Sequence, residues 1–466
     1  MRLAAPVCAA LIISATQLSS QQFPLLAVGN LDQSRAGAWA DVSGLNYTLE
    51  NGVPANNLGG MGSAITYAGG NDFLALPDRG PNAVPFDSDV DDTVAYVNRF
   101  HTVHLNLTPS HSDSGLPFEL NPLLQQTTLL WSATPLVYGS VNGSGAPPIN
   151  GIMRYYFTGR SDGFDPKQNS GDPNDARFDT EGIRVSNDGK SVFISDEYGP
   201  YVYQFDRNTG VRLRTFALPA SFDVTNLSPV GNTEISGNTV GRTANKGMEG
   251  LAITPDGKTL VGIIQNSLIQ DAAQKGAAAK MLRIVTIDIA SGQVTHQFAY
   301  GLTTGSGVSE ILALNNHEFL VDERDGHGRA DGTVAVVKQL FKIDLMGATD
   351  VSQMDGKTAA GNEVKKTLFV DLVASFVASN QFTTAEIPAK IEGISFGPDL
   401  KGGGETIHTL WVANDNDFSQ TVLDPDGNTI ANPNQFFVFG FKDSDLGGSA
   451  YVPQFQENRE LPAFLR

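Results

Sequence analysis

The sequence predicts an all-β fold: a single β-propeller, six-bladed on the spacing of its repeats, with seven blades as the alternative count. Two observations carry this. First, one hairpin pattern recurs through the 466 residues: a Glu-Gly opening in its fullest form, a short apolar strand, a tight turn, a second apolar strand, and an exit on acidic or amide residues. Copies about 45 to 70 residues long, each too small to bury both faces alone, are the sequence form of blades stacked around an axis. Second, glycine is abundant, at 49 residues, while β-branched and aromatic residues fall in short runs and helical periodicity is scarce.

Residues 1–20 read as a secretory signal peptide: one arginine, an apolar run over 3–13 too short to span a bilayer, then small and polar residues. The only cysteine, Cys8, lies inside it, so the rest, 21–466, is read as one propeller domain without thiols or disulfides. This places the protein outside the cell or in a periplasm. The first hairpin copy, 62–80, has Ser63 in the glutamate position and exits on Asp78-Arg79-Gly80. A copy at 180–201 opens on Glu181-Gly182 and exits on Asp196-Glu197. The fullest copy, 245–271, opens on Glu249-Gly250, turns at 255–258, and returns along 259–264 to Gln265 and Asn266. In that turn proline presets φ, aspartate bonds its own backbone, and glycine takes a positive φ. In the copy at 308–326 the glutamate is read as Glu310, with Ile311 in the glycine position, and the exit is 322–325. The last copy, 390–418, opens on Glu392-Gly393 and exits over 414–417.

Between the hairpins, 201–206, 283–289, 339–345 and 434–441 read as third strands, and 100–108 as a strand of the first blade. Residues 127–138 are read as part of a second blade that lacks the Glu-Gly opening. Blades starting near 58, 115, 180, 247, 307 and 389 make six. A strand around 45–49 is expected to pair with the last blade and close the ring, removing its free edges. The best helix candidates are 269–280 and 368–378.

A formal charge of −19 argues against nucleic acid as a partner, because binding there depends on cations that neutralise phosphates. A propeller converges equivalent positions of its blades on the axis, so the repeated glutamates and acidic exits become neighbours. Two unit charges about 6 Å apart repel by roughly 3 kcal/mol at an effective dielectric near 20. Several such pairs approach the whole stability of a domain, about 5 to 15 kcal/mol, so protonation or a cation must relieve them. The donors are carboxylate and amide oxygens without His or Cys, which favours a hard divalent ion, Ca²⁺ before Mg²⁺. The candidate ligands are Asp78, Glu181, Asp196, Glu249, Glu310, Asp322, Glu392 and Asn414. Arg79, Lys246 and Arg324 lie beside them as candidate substrate-binding cations, with Glu249 or Asp196 as the base.

An ordered series of motifs resembles one known family. It comprises ALPDRGPN (75–82), FDTEGI (178–183), SDEYGPYVYQFD (195–206), NKGMEGLAITPDGKTL (245–260) with QNSLIQD (265–271), SEILALNNHEFLVDERDG (309–326), IEGISFG (391–397) and LWVANDNDF (410–418). Together they are similar to the phytase-like proteins grouped as esterase-like activity of phytase, over about 60–418; no motif is matched in 110–175. The resemblance implies a secreted, propeller-like hydrolase. It places Asp78, Glu181, Asp196, Glu249, Asp322, Glu392 and Asn414 at the mouth or along the bore of the channel, with Arg79, Lys246 and Arg324 beside them.

Three functional readings follow. The first is a metal-dependent hydrolase of phosphoesters, working as a monomer on a small phosphorylated molecule. The second is a lactonase or carboxylesterase of the six-bladed metal type. The third is a non-catalytic secreted propeller that binds a ligand, its metal structural.

Overall fold

The hairpins form because apolar runs too short for helices are bounded by turn residues. In the 245–271 repeat Gly257 adopts φ 71° and Asp256 accepts the Lys258 N–H at 3.1 Å, so the chain reverses between Met248–Ile253 and Thr259–Ile264. The computed structural model describes residues 21–83, 93–139, 143–402 and 405–456; the expected signal peptide, with Cys8, lies outside the described residues.

Among the described residues five sheets of four main strands are arranged as blades. Blade 1 comprises Ala64–Tyr67, Asp72–Leu76, Arg99–Pro109 and Phe118–Leu129; blade 2, Thr180–Val185, Ser191–Asp196, Tyr201–Asp206 and Arg212–Ala217. Blade 3 is Met248–Ile253, Thr259–Ile264, Met281–Asp288 and Val294–Gly301; blade 4, Gly307–Ala313, Glu318–Arg324, Lys338–Asp344 and Lys366–Asp371. Blade 5 is Ile391–Phe396, Glu405–Asn414, Asn434–Phe441 and, from the start of the described chain, Leu25–Leu31. The first-named strands touch one another in order around a closed ring. Because blades stack on both faces, Met248–Ile253, Ser191–Asp196 and Ile391–Phe396 are buried throughout.

Two expectations are corrected. The ring has five blades, not six or seven: the segment expected to start a blade near 115 supplies the outer strand of blade 1, then only Trp131–Ser132 paired with Tyr155–Tyr156. Without a Glu-Gly opening it has no strand to place at the axis. The strand that closes the ring is Leu25–Leu31, paired antiparallel with Asn434–Phe441, rather than 45–49. Leu45 and Leu49 instead pack with Ala55, Tyr96 and Phe418. The expected third strands form, while 269–280 yields a short helix (Ile269–Ala272) and a 3-10 turn (Gly276–Lys280), and 368–378 divides into the end of a strand and the helix Leu372–Ala378.

The glycine of the Glu-Gly step sets how closely blades approach. A Cβ on Gly250 would lie 2.7 Å from the Ile311 nitrogen of blade 4, and one on Gly393 would lie 2.9 Å from the Gly62 carbonyl oxygen of blade 1. The Gly393 N–H donates to that carbonyl at 2.7 Å, tying blade 5 to blade 1.

At the other end of the inner strands, residues 450–456 run across the bore. Gln456 donates to the Tyr67 carbonyl at 3.0 Å, Gln454 to the Val185 carbonyl at 2.8 Å, the Phe455 N–H to Pro255 at 3.1 Å and the Val452 N–H to Leu314 at 2.9 Å. Tyr451 stacks on Phe396 at 4.5 Å. Every blade is therefore touched by this one segment, which closes the far end of the channel.

Gly250→Ala is expected to destabilise the fold by about 1–3 kcal/mol through overpacking, whereas Gly151→Ala, whose added Cβ meets nothing within 4 Å, is expected to change stability by less than about 0.5 kcal/mol. Urea denaturation of the two variants checks this. A second expectation concerns Glu323 of blade 4. Burial raises its pKa, but Lys366, Tyr300 and the backbone of the 303–305 turn outweigh burial and hold it down at about 2. A depressed carboxylate contributes stability above its unfolded pKa, and this is lost as pH falls towards the folded value. Wild type is expected to exceed Glu323→Gln by roughly 3 kcal/mol at neutral pH, the gap closing between about pH 4.5 and 2 in acid denaturation curves.

Candidate functional site

The site is built by a bulge repeated near the start of the inner strands. In blade 3 the pairing slips between Met248↔Ile264 and Gly250↔Ile263, leaving Glu249 as the extra residue; the same slip occurs at Glu392 in blade 5 and around Glu181 in blade 2. A bulge re-aims the unpaired side chain, and here it turns each glutamate into the ring. Blade 4 slips between Val308↔Glu323 and Glu310↔Asp322, so its bulged residue is Ser309. This corrects the register read from sequence: Glu310 stands in the glycine position. Its carboxylate accepts the Leu251 N–H of blade 3 at 3.1 Å and its own Ile311 N–H at 2.9 Å, and pairs with Arg184 at 2.9 Å. Arg184 also donates to the carbonyls of Ile65 (3.0 Å) and Ile311 (3.1 Å), spanning the bore beyond the bulges.

The bulged Glu181, Glu249 and Glu392, with Ser63 of blade 1, line a cavity of about 590 Å³ at the end of the ring away from the 450–456 segment. Asp78, Arg79 and Arg324 line it as well. Besides Glu310, four residues from the candidate set do not. Asp196 accepts three backbone N–H groups, of Asp179 (3.0 Å), Tyr198 (2.9 Å) and Gly199 (3.0 Å), and so fixes the loop that carries Glu197. Asn414 accepts the Gln435 N–H at 2.6 Å, a link within blade 5. Asp322 pairs in register with Glu310 and is buried, with neither carboxylate oxygen hydrogen-bonded among the described residues; burial, with Glu392 and Glu310 nearby, raises it to about 8 against the pull of Arg324 and Lys338. Lys246 is half-buried and is not part of the lining, although its charge reaches Glu197. The lysine that lines the cavity is Lys390.

Sequence reasoning missed Glu197, Lys390, Asp415, Asp417, Asn245 and Gln265 of the lining, and Asp179 just behind it. The usable signal was nearness to the repeated positions: Asp179 and Lys390 lie two residues before Glu181 and Glu392, and Asp415 and Asp417 follow directly on the strand Glu405–Asn414.

Two carboxylate triads result. Asp179, Glu181 and Glu197 each offer an oxygen within 4.8 Å of the others, as do Asp78, Asp415 and Asp417. Lys390 serves the second triad, at 2.8 Å from Asp415 and 2.5 Å from Asp417. In the first, Arg79 pairs with Asp179 at 3.1 Å and Ser63 donates to Glu181 at 2.8 Å, while Oε1 of Glu197 is buried without a hydrogen bond among the described residues. Gln265 donates to Glu249 at 3.0 Å, and Arg324 pairs with Glu392.

Burial is the first cause of the raised carboxyls here. It lifts Asp78 and Glu197 to about 7, with neighbouring Asp179 adding in each case. Glu181 is pushed well up by burial and then by Glu249, and Glu249 by burial and then by Glu197 and Glu392. At 4.8 Å two full charges repel by about 3.5 kcal/mol at an effective dielectric of 20. The cavity lining holds seven carboxylates against three cationic side chains among the described residues, so its own groups leave negative charge in excess. A hard divalent cation fits this donor set, and the first triad, with its unsatisfied oxygen, fits best.

No helix among the described residues is long and apolar enough to cross a membrane. One curated relative, an uncharacterized secreted protein of Arthroderma benhamiae, is 34% identical over 183 residues, which is 33% of this chain and 35% of that protein. The chain thus spans about a third of the relative's length. Among solved structures, hydrazine synthase of Kuenenia stuttgartiensis matches at 12% identity and TM-score 0.29, covering 80% of each chain. A candidate 6-phosphogluconolactonase of Bacteroides uniformis matches at 12% identity and TM-score 0.31, covering 81% of this chain and 88% of that one. Superposition this loose carries no argument about fold or function. The model of the phytase-like family, described as esterase-like activity of phytase, matches residues 56–418, the span that contains the five inner strands and all of the cavity lining except Asn51, Val53 and Ser419, and the chain belongs to that family.

Proposed function

We propose that the protein is a secreted, divalent-cation-dependent hydrolase of phosphoesters, acting at the mouth of its propeller channel. The observation that carries the reading is a carboxylate triad, Glu181 and Glu197 in the lining with Asp179 behind them, beside Arg79, Arg324 and Lys390 of the same cavity. Carboxylates alone serve a cation, and cations alone serve an oxyanion; a phosphoryl group held by metal and guanidinium together calls for both. A polar cavity of this kind also favours a phosphoester over a lactone, which needs a mainly apolar pocket.

Ca²⁺ or Mg²⁺ held by Asp179, Glu181 and Glu197 would supply positive charge to the phosphoryl oxygens and lower the pKa of a bound water. The chain's own groups do the rest. Arg79 and Arg324, each fixed by a carboxylate partner, orient the phosphoryl oxygens. Glu249, held by Gln265, takes a proton from the attacking water in its ionised form. The water oxygen bonds to phosphorus as the ester P–O bond breaks, and the proton passes to the departing alcohol, giving alcohol and inorganic phosphate.

The reading is tested with purified protein on p-nitrophenyl phosphate, p-nitrophenyl acetate and a lactone, with and without EDTA. Phosphatase activity abolished by EDTA and restored by Ca²⁺ or Mg²⁺ is expected; activity confined to the acetate or lactone would assign it to carboxylic esters. Glu249→Gln is expected to lower kcat by about 10²- to 10⁴-fold, the usual contribution of a general base. Stability supplies an opposite-sign check at Glu181. In chelator, Glu181→Gln relieves like-charge repulsion and is expected to melt above wild type; in excess Ca²⁺ it is expected to lose most of the wild-type gain, which is about 2.7 kcal/mol at a hundred times Kd. Differential scanning calorimetry reads both signs.

A further inference from the structure

The cavity lining has a second character. Val53, Pro81 and Phe418 contribute apolar atoms to the lining; Val53 is half-buried, Pro81 is buried, and Phe418 is 8% exposed, its ring mostly in the core. Phe418 is fixed there. It and Asp417 both hold left-handed backbone, at φ 55° and 49°, a conformation costly for non-glycine residues and concentrated at functional sites. The Phe418 ring packs edge-on against Tyr96 at 5.0 Å. It lies so close to Gly59 and Gly60 that a Cβ on either would fall within 3 Å of it. The same pair of strained residues carries the Asp417 carboxylate to Lys390, so apolar and charged parts of the lining are joined by one turn.

Charge limits what can enter. Each of the three lining cations already faces a carboxylate partner, and the seven lining carboxylates outnumber the cations by four. With all seven ionised, two divalent cations would bring the lining to neutrality. One phosphomonoester adds about −1.5 to −2 at pH 7 and a polyol carrying six adds roughly −9 to −12, with no further positive charge among the lining residues to meet it. Resting on the phosphoester reading above, we propose that the substrate is a monoester carrying a single phosphoryl group on an apolar alcohol, with the phosphoryl group among the charged lining groups and the alcohol against Phe418 and Val53. A multiply phosphorylated polyol brings far more negative charge than three lining cations, each already paired, can meet, and a small hydrophilic alcohol leaves the apolar lining unused.

Three substrates test this in the presence of Ca²⁺ or Mg²⁺: 2-phenylethyl phosphate, glycerol 3-phosphate, whose leaving oxygen is of similar basicity, and inositol hexakisphosphate. The wild-type kcat/KM is expected to be at least about tenfold higher for 2-phenylethyl phosphate than for glycerol phosphate, the difference residing mainly in KM, as burial of a ring face against an apolar wall requires. Phosphate release from the hexakisphosphate is expected to be slowest. Phe418→Ala is expected to lower kcat/KM for the phenylethyl ester about tenfold more than for the glycerol ester. Should Phe418→Ala fail to fold, Val53→Ser, at a half-buried position of the lining, is read in the same way with a smaller shift. Preference for the hexakisphosphate, or for glycerol phosphate, would overturn the substrate assignment while leaving the phosphoester reading standing. A folded protein inert on all three would overturn that reading and this one with it.

Discussion

The close approach of neighbouring inner strands at the Glu-Gly step is the constraint on which the structure depends. Gly182, Gly250 and Gly393 leave no room for a Cβ because the next blade's inner strand lies against them. The bulge that accompanies the step leaves one residue without a ladder partner, and that residue points into the ring. Fold and site thus have one origin: what allows five sheets to close around an axis also drives Glu181, Glu249 and Glu392 together. Blade 4 departs from the pattern and is informative for it. There Glu310 replaces the glycine and fills the gap between strands with its own side chain, bonding the blade 3 backbone and Arg184, while Ser309 takes the bulge.

Gathering carboxylates is costly, and the lining answers the cost locally. Arg79, Arg324 and Lys390 each neutralise part of it. What remains unbalanced is concentrated at Asp179, Glu181 and Glu197, where Glu197 has a buried oxygen without a hydrogen bond among the described residues. The far end of the bore is closed by Arg184 and by the 450–456 segment. The cavity lies at the opposite end of the ring, with Phe418 and Pro81 in its lining.

Much of this was legible in the sequence, for identifiable reasons. Hairpin strands and third strands were readable because apolar runs and turn residues are local signals. Ring size was not local: whether 110–175 makes a blade depends on having an inner strand to place at the axis, and the lack of a Glu-Gly opening there was the clue. The closing strand is Leu25–Leu31 rather than 45–49, because Leu25–Leu31 offers the more continuous apolar surface that a buried strand needs. At the site, composition identified the acidic exits but not which member of each pair faces inward. Asp196 is the last residue of its strand and braces the loop, while Glu197, the first beyond the strand, lines the cavity. Lys246 was favoured for its nearness to Glu249, whereas Lys390, two residues before Glu392, lines the cavity. A one-residue slip at Ser309 was invisible to pattern alone, because Ser-Glu-Ile matches Glu-Gly-Ile by its glutamate rather than by its bulge.

The account's central claim is that carboxylates gathered by the five inner strands hold a divalent cation. Anomalous diffraction from crystals grown in Mn²⁺, a probe for hard oxygen-ligated ions, tests it most directly. The account predicts a peak within about 2.0 to 2.6 Å of oxygens from Asp179, Glu181 and Glu197, displaced by excess Ca²⁺. A map with no peak in the cavity at saturating Mn²⁺, and these carboxyls in direct contact with one another, would show that protons rather than a metal relieve the repulsion, and would contradict the claim.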